Sequence, residues 1–172
     1  MMSLARIAGA VYVITFVAGT MALLTPTGRP FTNQIAALSY IVVTILFYHL
    51  FKRADRTVSM IAAIVSLTGC VIGLLMGLRL SPIDINPLAF FGVYCLLLGY
   101  LVYKSTYLPQ WLGFLMMFGG IGWLTFAIPS LARLLQPYNF GPGIFAEGVL
   151  TMWLLIAGVN EQRWNAMTAR TR

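Results

Sequence analysis

Glu147 is the one acidic residue set inside an apolar run of this sequence, the stretch Gly143 to Asn160, and it is the first candidate for chemistry. About four residues into that run, its carboxyl group would lie roughly 6 Å below the outer end at 1.5 Å per residue. A carboxylate at such depth is costly unless paired, hydrated or protonated, so an intramembrane acid is a functional candidate by default. Three arrangements would satisfy it: an ion pair with arginine, a neutral acid holding its proton, or contact with a polar ligand. Arg133, Arg79 and Asp84 are expected on the same side as Glu147. Pro129 lacks an N–H and clashes with the carbonyl of Thr125, which predicts a kink that frees this carbonyl and opens the outer half of a helix bundle. Tyr138 and Asn139, followed by Gly141-Pro142-Gly143, form an irregular connector beside the acid. The expected ligand-contacting set is therefore Glu147, Arg133, Arg79, Asp84, Thr125, Tyr138 and Asn139, with Glu147 the only catalytic candidate.

Other residue types offer less. His49 is the sole histidine and stands beside Lys52 and Arg53, where a headgroup-facing role is expected. With no second histidine or suitably spaced acid, no metal site can be assembled. Cys70 and Cys95 both lie inside apolar runs and read as small packing residues. Tyr40, Thr44 and Tyr48 share a stripe with Asn33 that would line a cavity or bond across helices. Trp123, Trp153, Met116, Met117 and Met152 read as core filler. No phosphate loop, nucleophile elbow or paired-carboxylate arrangement is present, and no cofactor is implied.

The elements that must position Glu147 are apolar runs close to bilayer length: 4–24, 34–51, 57–78, 88–103, 109–134 and 143–160. A spanning helix needs roughly 20 such residues, and in lipid the backbone must satisfy its own hydrogen bonds. The sequence thus predicts an all-α, up-and-down integral membrane bundle of six transmembrane helices in a single domain, 1–172. Its hydrophobic share of 60% and charged share of 9% agree with that class. The net charge of +7 does not point to nucleic acid, because the basic residues stand singly at span ends. Arg6, Lys52, Arg53, Arg56, Lys104, Arg163, Arg170 and Arg172 fall on one side and Arg29, Arg79 and Arg133 on the other, which places both termini in the cytoplasm. Trp111 and Trp164 then fall at the inner interface. The first run is longer than a signal-peptide core and lacks a small-x-small cleavage site, so it reads as a retained span.

Gly69, Gly73 and Gly77 recur every fourth residue, continued by Ser66, Ala62 and Ser59, and this stripe predicts close helix packing. Gly92 and Gly99, with Gly113, Gly119, Gly120 and Gly122, predict a compact bundle with few large voids. No internal repeat of the kind found in inverted-repeat transporters is evident.

The run Leu96-Leu97-Leu98-Gly99-Tyr100-Leu101-Val102-Tyr103-Lys104-Ser105, then Tyr107-Leu108-Pro109 and Leu112-Gly113, resembles the signature of a bacterial family of six-span membrane proteins labelled domain of unknown function 4386. The opening Ala5-Arg6-Ile7-Ala8-Gly9 with Tyr12 and Ala18-Gly19 is similar too, as is the ending Met152-Trp153-Leu154-Leu155, Gly158-Val159-Asn160 and Arg163-Trp164. The middle departs from the pattern, with shorter external connectors. The resemblance implies the fold, six spans and a recurrent acid in the last span, matched here by Glu147; the expected location is the cell inner (plasma) membrane, as a multi-pass protein. It implies no activity.

The leading expectation is that an outward-facing pocket centred on Glu147 binds a small amphipathic or lipid-like molecule. A second reading is a membrane enzyme, such as an isomerase or cyclase, in which protonated Glu147 acts as general acid on an apolar substrate. A third is an accessory subunit whose glycine stripes contact another copy of the chain or a membrane partner.

Overall fold

The computed structural model describes residues 4–24, 29–81 and 85–170. Among these residues every regular element is helical: α1 (Leu4–Leu24), α2 (Arg29–Phe51), α3 (Arg56–Gly77), α4 (Pro87–Lys104), α5 (Gln110–Leu124), a short 3-10 turn at Thr125–Ala127, α6 (Pro129–Leu135), α7 (Phe140–Ile156) and α8 (Glu161–Arg170). Helices α1 to α4, and α5 with its 3-10 turn, are long and apolar enough to cross a membrane; α6 and α7 meet the same test only as a pair bent by 82°, a broken sixth span or a re-entrant segment. The chain is an integral, multi-pass membrane protein.

Local chemistry sets the ends of these helices. The Asp55 carboxylate accepts from the Val58 N–H at 3.0 Å and starts α3. Asn86 accepts from Leu88 and is followed by Pro87 in the first helical position of α4, where a missing N–H costs nothing. Gly158, at φ 69°, ends α7 in the left-handed conformation that glycine adopts without strain. Asn160 then caps α8 by accepting from the Arg163 N–H at 3.1 Å. Helix α8 is absent from the sequence reading because its length and polarity fall far short of a span.

One expected span is broken. The residue before a proline is driven out of the helical region, and Ile128 accordingly lies at φ −118° and ψ 102°. Pro129 therefore begins a separate short helix instead of kinking a continuous one, and the run 109–134 divides into α5 and α6. The Thr125 carbonyl is not freed: it accepts from the Ile128 N–H at 3.2 Å.

The helices form a ring in which each long helix packs on its neighbours in sequence and α7 closes onto α1. Glycines make the close approaches. Gly92 and Gly99 on α4 face Gly120 and Gly113 on α5, seven residues apart on each helix, so the two backbones touch along an antiparallel seam. Gly9 lets α1 reach the backbone of α7 at Leu154 and Leu155. Short hydroxyl bonds tie the other neighbours, Thr15 to Ser39 at 2.9 Å and Thr44 to Ser66 at 2.7 Å. Large apolar side chains such as Ile14, Ile64, Phe114, Phe118 and Phe145 point outward, as a lipid-facing surface requires.

The two ends of the ring differ. At the end carrying α8, the Tyr107 hydroxyl donates to the Leu50 carbonyl at 2.8 Å, and the Asn160 N–H donates to the Tyr107 carbonyl at 3.0 Å. The Arg163 guanidinium donates to the Thr106 carbonyl at 3.1 Å, and Arg53 lies 3.7 Å over the Trp164 ring. Lys104 pairs with Asp55 at 2.7 Å. The Lys104 ammonium and the Val58 N–H hold the Asp55 carboxyl below the usual carboxylate range. A depressed carboxyl stabilises the fold above its unfolded pKa, and that contribution is lost as pH falls through the folded value. Asp55→Ala is therefore expected to cost about 1 kcal/mol near neutral pH. Its deficit should shrink at acid pH, which thermal unfolding in detergent at several pH values would check.

Candidate functional site

The opposite end is hollow. A cavity of about 660 Å³ runs down the axis of the ring and reaches Glu147. The expectation of a bundle with few voids is corrected here, for at this end the ring of six helices leaves its axis unfilled. The α3 glycine stripe has a different role from the packing expected of it. Gly69, Gly73 and Gly77 all line this cavity, and only Gly69 is tight, where an added Cβ would lie 2.9 Å from the Cβ of Phe90.

Glu147 sits on α7 with its side chain turned inward, 9% exposed. Its depth also differs from expectation. Tyr12, in α1, and Tyr40, in α2, stand near the middle of their helices, and Tyr12 lies twelve residues from Leu24, roughly 18 Å at 1.5 Å per residue. Counting from the start of its own run placed Glu147 too near the boundary, because α7 is short and α1 and α2 extend past it. The acid lies at mid-depth in the bundle.

Three donors converge on the carboxyl. The Tyr12 hydroxyl donates to Oε2 at 2.5 Å, the Trp123 indole Nε1 donates to Oε1 at 2.6 Å, and the Cys95 thiol donates to the same oxygen at 3.8 Å. The Tyr40 hydroxyl lies 3.3 Å from that of Tyr12 and extends the network. Tyr12, Tyr40, Trp123 and Cys95 are each 7% exposed or less. Gly143, one turn before Glu147 on the same face, makes room for the indole: a Cβ there would fall 2.2 Å from Trp123 Cε2. One glycine thus holds the tryptophan against α7 and aims its N–H at the acid.

The arginine partner considered from the sequence does not reach this carboxyl. Among the described residues the ion pair is Lys104 with Asp55, at the far end of the bundle. Arg79 lines the cavity, but past the end of α3 at φ 59° and with an exposed side chain. Arg133 is exposed on α6, and Tyr138 is 83% exposed; neither borders the cavity, and the break at Ile128 sets α6 apart from α5. Thr125 and Asn139 are joined to each other, the Asn139 amide donating to the Thr125 hydroxyl at 3.1 Å, and brace the α6–α7 corner. Asp84 lies outside the described residues. Asn33, Asn86 and Gln136 complete the polar rim with Arg79.

Tyr12, Tyr40, Trp123 and Cys95 were not singled out from the sequence as partners of the acid. A signal existed: phenols and an indole placed in mid-span need a partner for their polar tips, and Glu147 is the strongest acceptor in the spans. His49 lies at the other end, hydrogen-bonded to Lys52 at 3.1 Å. Cys70 and Cys95 are unpaired thiols. Among the described residues no group of three His, Cys, Asp or Glu side chains is placed to hold a metal ion.

Comparison with known proteins agrees with the resemblance in the residues. Residues 84–158 match a family described as a domain of unknown function, DUF4386. An uncharacterized protein of Archaeoglobus fulgidus is 28% identical over 131 residues, covering 69% of this chain and 76% of the relative. No solved structure matches the chain significantly.

Proposed function

From a chain that belongs, over residues 84–158, to the domain of unknown function 4386 family, we propose a binding protein whose axial cavity takes up a small amphipathic molecule, its polar end at Glu147 and its apolar body among the helices. The observation that carries this reading is a hydrogen-bonded, unpaired carboxyl at the floor of an open, mainly apolar cavity of about 660 Å³. Ligand sites in proteins have this volume, about 300–1,000 Å³, and this mixture of apolar walls with a few placed polar groups. The excess of lysine and arginine on one side supports a reading in which both termini are cytoplasmic and the cavity mouth faces outward.

Glu147→Gln tests the reading without dismantling the site. The amide oxygen still accepts from the Trp123 indole and the amide nitrogen donates to the Tyr12 oxygen, so stability should change by no more than about 1 kcal/mol. Mass spectrometry of material purified in mild detergent should find a co-purifying molecule in the wild type that is lost or much reduced in the variant. An unchanged identity and amount would refute the proposal.

A further inference from the structure

We infer that the ligand is an organic cation, an amphipathic amine or ammonium compound of drug size whose charged nitrogen rests against the Glu147 carboxylate. This rests on the reading of the cavity as a binding site and names the chemistry that it selects.

Two independent features favour the same sign of charge. The first is the acid. Tyr12, Trp123 and Cys95 supply its oxygens with neutral donors, and among the described residues no lysine, arginine or histidine pairs with it. Burial penalises a bare charge here and three neutral donors offset part of that cost, so a cationic nitrogen brought against the acid supplies the missing counter-charge and is attracted strongly in the low-dielectric interior. The second is the walls. Tyr12, Tyr40 and Phe91 border the cavity on one side and Trp123, Phe126 and Phe140 on the other. Within each trio the rings pack on one another, Tyr40 with Phe91 at 4.7 Å and Phe126 with Phe140 at 4.9 Å between centroids. Aromatic faces carry negative potential and attract alkylammonium groups, above all where water is excluded. An anion would gain no such contact from the acid. Arg79, the cation lining this cavity among the described residues, is exposed at its mouth, where water and salt screen it. The volume suits a drug-sized molecule and is too small for a whole phospholipid, although a lipid could insert an amine headgroup.

The test uses the full chain in lipid nanodiscs of phosphatidylglycerol and three probes of similar shape: tetraphenylphosphonium, tetraphenylborate and neutral triphenylmethanol, with binding to empty discs subtracted. Tetraphenylphosphonium should bind saturably, one per chain, and at least about tenfold more tightly than triphenylmethanol, as a charge-assisted contact requires. Glu147→Gln should weaken the cation by about thirtyfold and the alcohol by less than about threefold. Equal or tighter binding of tetraphenylborate to the wild-type chain overturns the inference, and needs no variant to be folded. So does a cation affinity that Glu147→Gln leaves unchanged. Binding of triphenylmethanol without tetraphenylphosphonium would sink the inference while sparing the cavity reading; binding of no probe, with no co-purifying molecule, would sink both. Displacement of tetraphenylphosphonium when phosphatidylethanolamine is added to the discs assigns the amine to a lipid headgroup, and undiminished binding assigns it to a free amine. Either result keeps the cation.

Discussion

Alanine at Gly99 is expected to destabilise the protein by about 3 kcal/mol, the upper part of the range for inserting a methyl group into a packed interior. The new Cβ would fall 2.6 Å from the Gly113 carbonyl oxygen, 2.6 Å from Met117 Cγ and 2.9 Å from the Met117 nitrogen. Two of those three atoms are backbone, so no rotamer change relieves the clash and α4 and α5 must move apart. Gly113 faces the mirror-image problem, its Cβ meeting the Gly99 oxygen at 2.6 Å. Gly73 provides the control. A Cβ there meets nothing closer than 3.8 Å, and alanine is the better helix former by about 1 kcal/mol, so Gly73→Ala should be neutral or mildly stabilising. Unfolding of both variants by denaturing detergent from mixed micelles would decide the matter. Equal midpoints would mean that the glycine seam is not the tight contact described.

Gly143→Ala is expected to have a comparable effect on stability and a larger one on the site. Its Cβ would overlap the indole of Trp123, at 2.2 Å from Cε2 and 2.3 Å from Nε1, so the ring must leave its position and give up the 2.6 Å bond to Glu147. Overpacking and the loss of a charge-assisted hydrogen bond together should cost about 3 kcal/mol. Ligand binding should fall with stability because the acid is no longer held. Trimming the indole in the double variant Gly143→Ala, Trp123→Leu removes the steric part. A double-mutant cycle should then show a coupling of about 1 kcal/mol or more between these contacting residues. Additive effects would contradict the arrangement at the floor of the cavity.

Much of the architecture is legible in the residues, since apolar length is a strong signal and helices answer the demand of the lipid phase. The acid in the last span was also visible, because a carboxyl among leucines and tryptophans stands out by composition alone. What surrounds it was not. Tyr12, Tyr40, Trp123 and Cys95 come from four different helices, and one chain read in isolation gives each a sufficient packing role. The arginines drew attention as counter-charges, yet Arg79 stays at the mouth and Arg133 off the cavity while neutral donors do the solvating. The α3 glycines show the limit most clearly. A stripe of glycines serves a seam or a wall, and only the neighbour across the gap distinguishes them: a Cβ at Gly99 would meet Gly113 at 2.6 Å, whereas one at Gly73 meets Pro87 at an ordinary 3.8 Å. The corner at Ile128 was foreseen as a bend but not as a break, and that difference sets aside Arg133, Tyr138 and Thr125.

The bonds that lace Tyr107, Leu50, Asn160, Thr106 and Arg163 together close one end of the ring, and the cavity lies toward the other. On the proposed reading the well is a cul-de-sac at its laced end, and cargo would enter and depart by the opposite one. Occupancy would then follow the concentration on that single face of the bilayer, as for a sampler or reservoir and unlike a conduit.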